Sequence, residues 1–99
     1  MKLLKIYIRE GDKFEGELLY KKIIKILKNN NIKGATVFKG IYGYGERGVA
    51  DFNILALSIN LPISIEAVDE DEKIDSVVKK IKNIVRDNGL IITIDCKRW

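Results

Sequence analysis

Gly43, Gly45 and Gly48 are closely spaced, with Arg47 beside the last of them, and this grouping has the chemistry of an anion site. Glycine tolerates positive φ and lets the main chain approach another surface closely, so backbone N–H groups can be turned toward a ligand. A guanidinium beside such a turn adds a planar fork of donors that suits phosphate or carboxylate oxygens. Five of the eight glycines fall between Gly34 and Gly48, which makes this stretch the expected binding region. Gly43, Gly45 and Gly48 also satisfy G-x-G-x-x-G, with Glu66 near the offset of a ribose-binding acid. That fingerprint belongs between a first strand and its helix in a parallel βαβ unit. Here a strand and a helix already precede it, so its position argues against a dinucleotide fold.

Other chemistries are closed by composition. The chain contains no histidine, which removes the usual general base near neutral pH and every mechanism built on a histidine partner. Its single cysteine, Cys96, cannot form an internal disulfide, and with no second thiol it cannot anchor a tetrahedral zinc site. Many enzyme classes are thereby excluded at once. Asp69-Glu70-Asp71-Glu72 could bind a hard cation, but a run of acids at a helix N-terminus accounts for it more simply. The net charge of +4 is unevenly held: residues 1–50 carry +6 and residues 51–99 carry −2. The basic half invites an anionic partner, although charge balance speaks first to solubility.

The elements that must position the glycine turn follow from periodicity. Leu4, Ile6 and Ile8 alternate with Lys5, Tyr7 and Arg9, predicting a strand with one buried face, followed by a turn at Glu10-Gly-Asp-Lys13. Leu19, Ile23, Ile26 and Leu27 recur at helical spacing within a helix predicted over 15–30, with Glu15 and Glu17 at its start to complement the macrodipole. Asn29 to Asn31 and Gly34 should close it. A second strand is expected from about Ala35 to Tyr42, and Val49 to Asn60 fits a helical turn, loop or short strand equally. Pro62 to Val68 reads as a third strand, Asp69 to Glu72 as the cap of a second helix, Asn88-Gly89 as its end and Leu90 to Lys97 as a fourth strand.

Strand, helix, strand, strand, helix, strand is the ferredoxin-like βαββαβ plan, an α+β fold with a four-stranded antiparallel sheet and both helices on one face. Leu4, Ile6, Ile8, Val37, Ile41, Ile63, Ile65, Leu90, Ile92 and Ile94 are expected beneath the helices. The other face would carry Tyr7, Phe38, Val68 and Ile91 among Lys5, Thr36, Ser64, Glu66 and Thr93. Such a mixed face is too apolar for plain solvent surface and predicts a closed cyclic oligomer. Ninety-nine residues suit one domain spanning 1–99. The N-terminus is too short and too alternating for a signal peptide, and no apolar run is long enough to cross a bilayer, so a cytoplasmic protein without membrane insertion is expected.

Lys39 to Tyr44 is similar to the aromatic strand of an RNA-recognition module, which shares this plan. In that module the aromatics lie on the third strand, whereas these residues lie at the end of the second, which argues against nucleic acid. A different resemblance covers nearly the whole chain. Gly34-x-Thr36-Val37, Gly43-Tyr44-Gly45 and a following basic residue resemble PII signal-transduction proteins. Gly34 to Gly45, with Leu57 to Pro62 and Glu66 to Glu70, is closely similar to a small, largely uncharacterised PII-like family of prokaryotic proteins. The resemblance implies a homotrimer that holds ATP or ADP between subunits and touches a target protein through the loop between strands two and three, here residues 44–60. It places Gly43 and Gly45 at the base of that loop, Arg47 within it, and Asn88 and Gly89 in the second nucleotide loop. Gly43, Gly45, Arg47, Asn88 and Gly89 are thus the expected ligand-binding residues of a regulatory, ligand-sensing protein. The alternatives are an RNA-binding ferredoxin-like module, a trimeric cation-binding protein, which the lack of histidine disfavours for soft metals, and an acylphosphatase. The last would need its glycine- and arginine-bearing loop after the first strand, where this chain has Glu10 to Lys13.

Overall fold

The alternation at Leu4, Ile6 and Ile8 builds β1 (Lys2–Arg9), the strand around which the rest is arranged. The structure, a computed structural model, describes residues 1–51 and 60–99. The reading of Phe52 to Ile59 as a helical turn, loop or strand lies outside the described residues. β1 leads into a small hairpin, β2 (Lys13–Phe14) and β3 (Glu17–Leu18), and then into α1 (Leu19–Asn29). β4 (Ala35–Lys39) is followed by a second hairpin, β5 (Tyr42–Gly45) and β6 (Gly48–Asp51). β7 (Pro62–Asp69), α2 (Asp71–Val85), a short 3-10 turn (Arg86–Asn88) and β8 (Leu90–Asp95) complete the order. The main sheet is antiparallel in the order β4, β7, β1, β8, the ferredoxin-like plan, with the two hairpins added at its end.

Both helices pack on one face through stripes at helical spacing. Leu19, Ile23 and Leu27 from α1, and Ile74, Val77, Ile81, Ile84 and Val85 from α2, are buried against Leu4, Ile6, Ile8, Ile63, Ile65 and Ala67. Burying such side chains stabilises by roughly 1.5–3 kcal/mol each, which makes this layer the main source of stability.

Helix α1 begins later than periodicity predicts. Glu15 and Gly16 form the two-residue turn of the first hairpin with φ of 51° and 78°, so neither Glu15 nor Glu17 lies in the first helical turn. Local turn chemistry outweighs the apolar spacing here, and both acids bind lysines instead: Glu15 with Lys22 at 3.8 Å and Glu17 with Lys25. The N–H of Leu19 donates to the Asp12 carbonyl at 2.8 Å, which satisfies one of the orphan donors at the helix start. Asn31, at φ 61°, supplies the left-handed turn after α1, a role expected of the asparagines or Gly34. At α2, Asp71 and Glu72 lie in the first turn as expected, but no side chain caps the helix. Asp69 is instead buried, accepting from the backbone N–H groups of Glu70 (2.8 Å) and Lys33 (3.0 Å) and from Lys73 Nζ (3.2 Å).

The last strand corrects the expected core. Ile91 stands opposite Ile6 and Thr93 opposite Leu4, so these face the helices. Leu90, Ile92 and Ile94 stand opposite Tyr7, Lys5 and Leu3 and face the uncovered side. A one-residue change of frame exchanges the faces of a strand, and the apolar run from Leu90 to Ile94 satisfied either frame. Ile41 also leaves the expected core, being 74% exposed between β4 and β5.

Candidate functional site

The second hairpin is held against one end of the sheet by backbone contacts that need small or cyclic residues. The Gly40 N–H donates to the Pro62 carbonyl at 2.8 Å, tying the end of β4 to the start of β7. Gly43 then lies over the proline ring, where an added Cβ would come within 3.0 Å of Pro62 Cγ. At the tip, Gly48 has φ +100°, a conformation that suits glycine, and its carbonyl accepts from the Arg9 guanidinium. On the other side, Glu10 N–H donates to the Leu61 carbonyl (2.9 Å) and Gly11 N–H to Asn60 Oδ1 (2.7 Å).

Between the hairpin and the sheet lies a cleft of about 610 Å³. Its walls are the end of β1 (Tyr7 to Arg9), the strand and turn from Tyr42 to Arg47, Pro62 and Ile63, and the segment Asp87 to Leu90. It joins aromatic and apolar surface with glycine backbone and two arginines, Arg9 and Arg47, which suits a flat ligand bearing an anionic group.

Asp12 governs its charge. Arg47 Nη1 donates to Asp12 Oδ1 at 2.6 Å and Nη2 to Oδ2 at 2.9 Å, a bidentate pair, and Nη2 also reaches the Asn88 carbonyl at 2.6 Å. The Arg9 backbone N–H donates to Asp12 Oδ2 at 2.9 Å. The Asp12 side chain is only 8% exposed and that of Arg47 is 41% exposed, so the carboxylate lies behind the guanidinium and the guanidinium forms the surface. Burial pushes the Asp12 carboxyl up, but Arg47 and the Arg9 N–H more than offset it and hold the group below the usual carboxylate range. Asp12 in turn raises Arg47.

All five residues expected from the sequence line this one cleft: Gly43, Gly45, Arg47, Asn88 and Gly89. Their parts differ. Gly45 has open space where a Cβ would stand, whereas at Gly89 a Cβ would lie 2.4 Å from the Tyr7 carbonyl oxygen and 2.7 Å from Ile8 Cγ2. Gly89 is therefore required by packing against β1. Its φ of −158° is ordinary extended backbone. Gly43 and Gly45 lie within β5 itself, and Arg47 sits at a hairpin tip. Asp12, Arg9 and Tyr7 were not anticipated. An aspartate after glycine in a turn signals a carboxylate bonded to nearby backbone, but nothing local pairs it with an arginine 35 residues away. Lys97 and Arg98 line a separate cleft of about 440 Å³ with Met1, Lys33 and Asp69 at the opposite end of the sheet.

Comparison with known proteins gives these features a family. Residues 1–98 match DUF190, described as uncharacterized ACR, COG1993. The chain belongs to the DUF190 family. Within it, the chain is 62% identical over 95 residues to UPF0166 protein MJ1524 of Methanocaldococcus jannaschii, covering 96% of this chain and 88% of that protein. It is 38% identical over 95 residues to a UPF0166 protein of Aquifex aeolicus, covering 95% and 89%. Among solved structures, this DUF190 chain is similar to CPII of Thiomonas intermedia K12, a nitrogen regulatory PII-like protein bound there to ADP, AMP and bicarbonate. The TM-score is 0.69 at 19% identity, covering 96% of this chain and 84% of CPII. The fold is PII-like, as the resemblance carried by Gly34 to Gly45, Leu57 to Pro62 and Glu66 to Glu70 implied. Among the described residues no helix is long and apolar enough to cross a membrane.

Proposed function

We propose that this DUF190 protein is a PII-like ligand sensor, acting as a single domain without catalysis of its own, which takes an adenine nucleotide in the cleft beside the second hairpin. The observation that carries the reading is convergence. Two segments more than forty residues apart, the hairpin with Gly43, Gly45 and Arg47 and the turn with Asn88 and Gly89, meet at one cleft in a PII-like fold. Tyr7 and Tyr42 offer faces for a planar base, and Arg47 and the open backbone at Gly45 offer donors for phosphate.

Sensing then follows from the position of the cleft. A ligand gripped by Arg47 makes different contacts when the hairpin is seated and when it is displaced, so it shifts the population between the two. The readout reaches a cytoplasmic target protein through residues 44–60. Tyr44, 85% exposed, and Val49 opposite it form an apolar pair suited to such a contact. The uncovered sheet face supports assembly as a homotrimer with the clefts at the seams.

Calorimetry of the full chain with ATP, ADP, AMP and cyclic nucleotides tests the reading. Binding by one or more of them, weakened at least about tenfold by Arg47→Gln, is expected. Silence across the panel overturns nucleotide sensing.

A further inference from the structure

The cleft's one lining arginine at the hairpin tip is already in use. Arg47 spends both terminal nitrogens on groups of its own chain, gripping Asp12 with two and the Asn88 carbonyl with a third hydrogen bond. The geometry points to Asp12 as an internal competitor for ligand anions: it occupies Arg47, seats the hairpin over the cleft, and must yield Arg47 before a phosphate group can be gripped by the same fork. This inference rests on the cleft being an anion site, as proposed above, and adds the residue that sets its affinity and couples it to the hairpin.

Three features make Asp12 a competitor and not an ordinary surface partner. Its carboxylate is bidentate, the arrangement a phosphate would reproduce on the same fork. It is buried, so it keeps its place without competition from water, whereas exposed pairs are worth little. Its backbone is fixed at two points, by the Asp12 N–H to the Arg9 carbonyl at 3.1 Å and by the Leu19 N–H to the Asp12 carbonyl at 2.8 Å. Asp12 is therefore anchored to the end of β1 and the start of α1, and Arg47 is the mobile member. When an anion takes the guanidinium, the hairpin tip loses its tether to the sheet. The Arg47 bond to the Asn88 carbonyl and the Arg9 contact to the Gly48 carbonyl are then the ties left at the tip among the described residues. Exchange of one carboxylate for one anion thus converts occupancy into a loosened hairpin.

A competitor that holds the site closed nine times in ten lowers apparent affinity about tenfold, and its removal returns that factor. The test uses the full chain, Asp12→Asn and Arg47→Gln, with inorganic pyrophosphate and ATP as titrants and amide hydrogen exchange without ligand as a second measurement. Asn is close to Asp in shape and keeps an acceptor for the Arg9 N–H. In Asp12→Asn, pyrophosphate should bind at least about tenfold tighter than to wild type. Exchange in β5 and β6 should accelerate in both variants, while Arg47→Gln gains no affinity. A purely structural role for Asp12 would loosen the hairpin without tightening any anion. Pyrophosphate binding to Asp12→Asn no tighter than to wild type overturns the inference, as does unchanged hairpin exchange in both variants. These outcomes separate from the nucleotide reading. Wild type silent to the adenine panel while Asp12→Asn captures pyrophosphate defeats only the reading; ATP bound equally by wild type and Asp12→Asn defeats only the competitor.

Discussion

At the scale of single residues, Gly89 and Asp69 carry consequences that can be measured directly. The atom a Cβ at Gly89 would strike is a main-chain oxygen, Tyr7 O at 2.4 Å, which cannot swing aside as a side chain can. Gly89→Ala should therefore cost about 1–3 kcal/mol, read as a lower urea midpoint with an unchanged slope. Asp69 is held below the ordinary carboxylate range first by the Glu70 N–H, against the opposing effect of burial, and further by the Lys33 N–H and Lys73. A carboxyl depressed in the folded chain adds stability above its unfolded value of about 3.9, and that stability is lost as pH falls through the folded value. Asp69→Asn should flatten the dependence of unfolding free energy on pH below about pH 5, measured by denaturant titration at several pH values. These roles were unequally legible. That Gly43, Gly45 and Arg47 belong together is written in their adjacency, whereas Asp12 enters through a contact spanning 35 positions, and Gly89's reason for being glycine lies in the neighbouring strand.

At the scale of elements, periodicity located both helices and the four main strands, because each buries one stripe or one row against a single core. It missed boundaries where turn geometry decides. The Glu15-Gly16 turn shortens α1 from its N-terminal side, and Arg86, at φ 52°, ends α2 before Asn88-Gly89. The second strand is likewise interrupted: β4 stops at Lys39 and Tyr42 starts a separate hairpin, so the glycines expected at the base of a loop are inside a strand. Asn31 offers a test of the turn after α1. Alanine lacks the short polar side chain that lets asparagine adopt φ of 61°, so Asn31→Ala should lose about 1 kcal/mol, whereas glycine at the same position should be tolerated, as thermal unfolding of the two variants would show.

For the whole molecule, the corrected frame of β8 makes the open side of the sheet more apolar than expected. Leu90, Ile92 and Ile94 join Tyr7, Phe38 and Val68 there, with Lys5 and Glu66 paired across the strands at 3.8 Å. Ser64 Oγ, between Tyr7 and Phe38 on this side, is buried and has no hydrogen-bond partner among the described residues. If the face joins copies of the chain, Ile92→Glu should convert the assembly to monomers in light scattering while leaving the far-ultraviolet circular dichroism unchanged, since the helices pack on the opposite side. The five consecutive residues of β8 from Leu90 to Ile94 include four aliphatic ones, so sliding by a single position would still offer oil to both layers. What denies the strand that freedom is the bare Cα of Gly89 wedged against the Tyr7 carbonyl. Gly89 thus works as an indexing pin, turning Ile91 and Thr93 to the helices and Leu90, Ile92 and Ile94 outward.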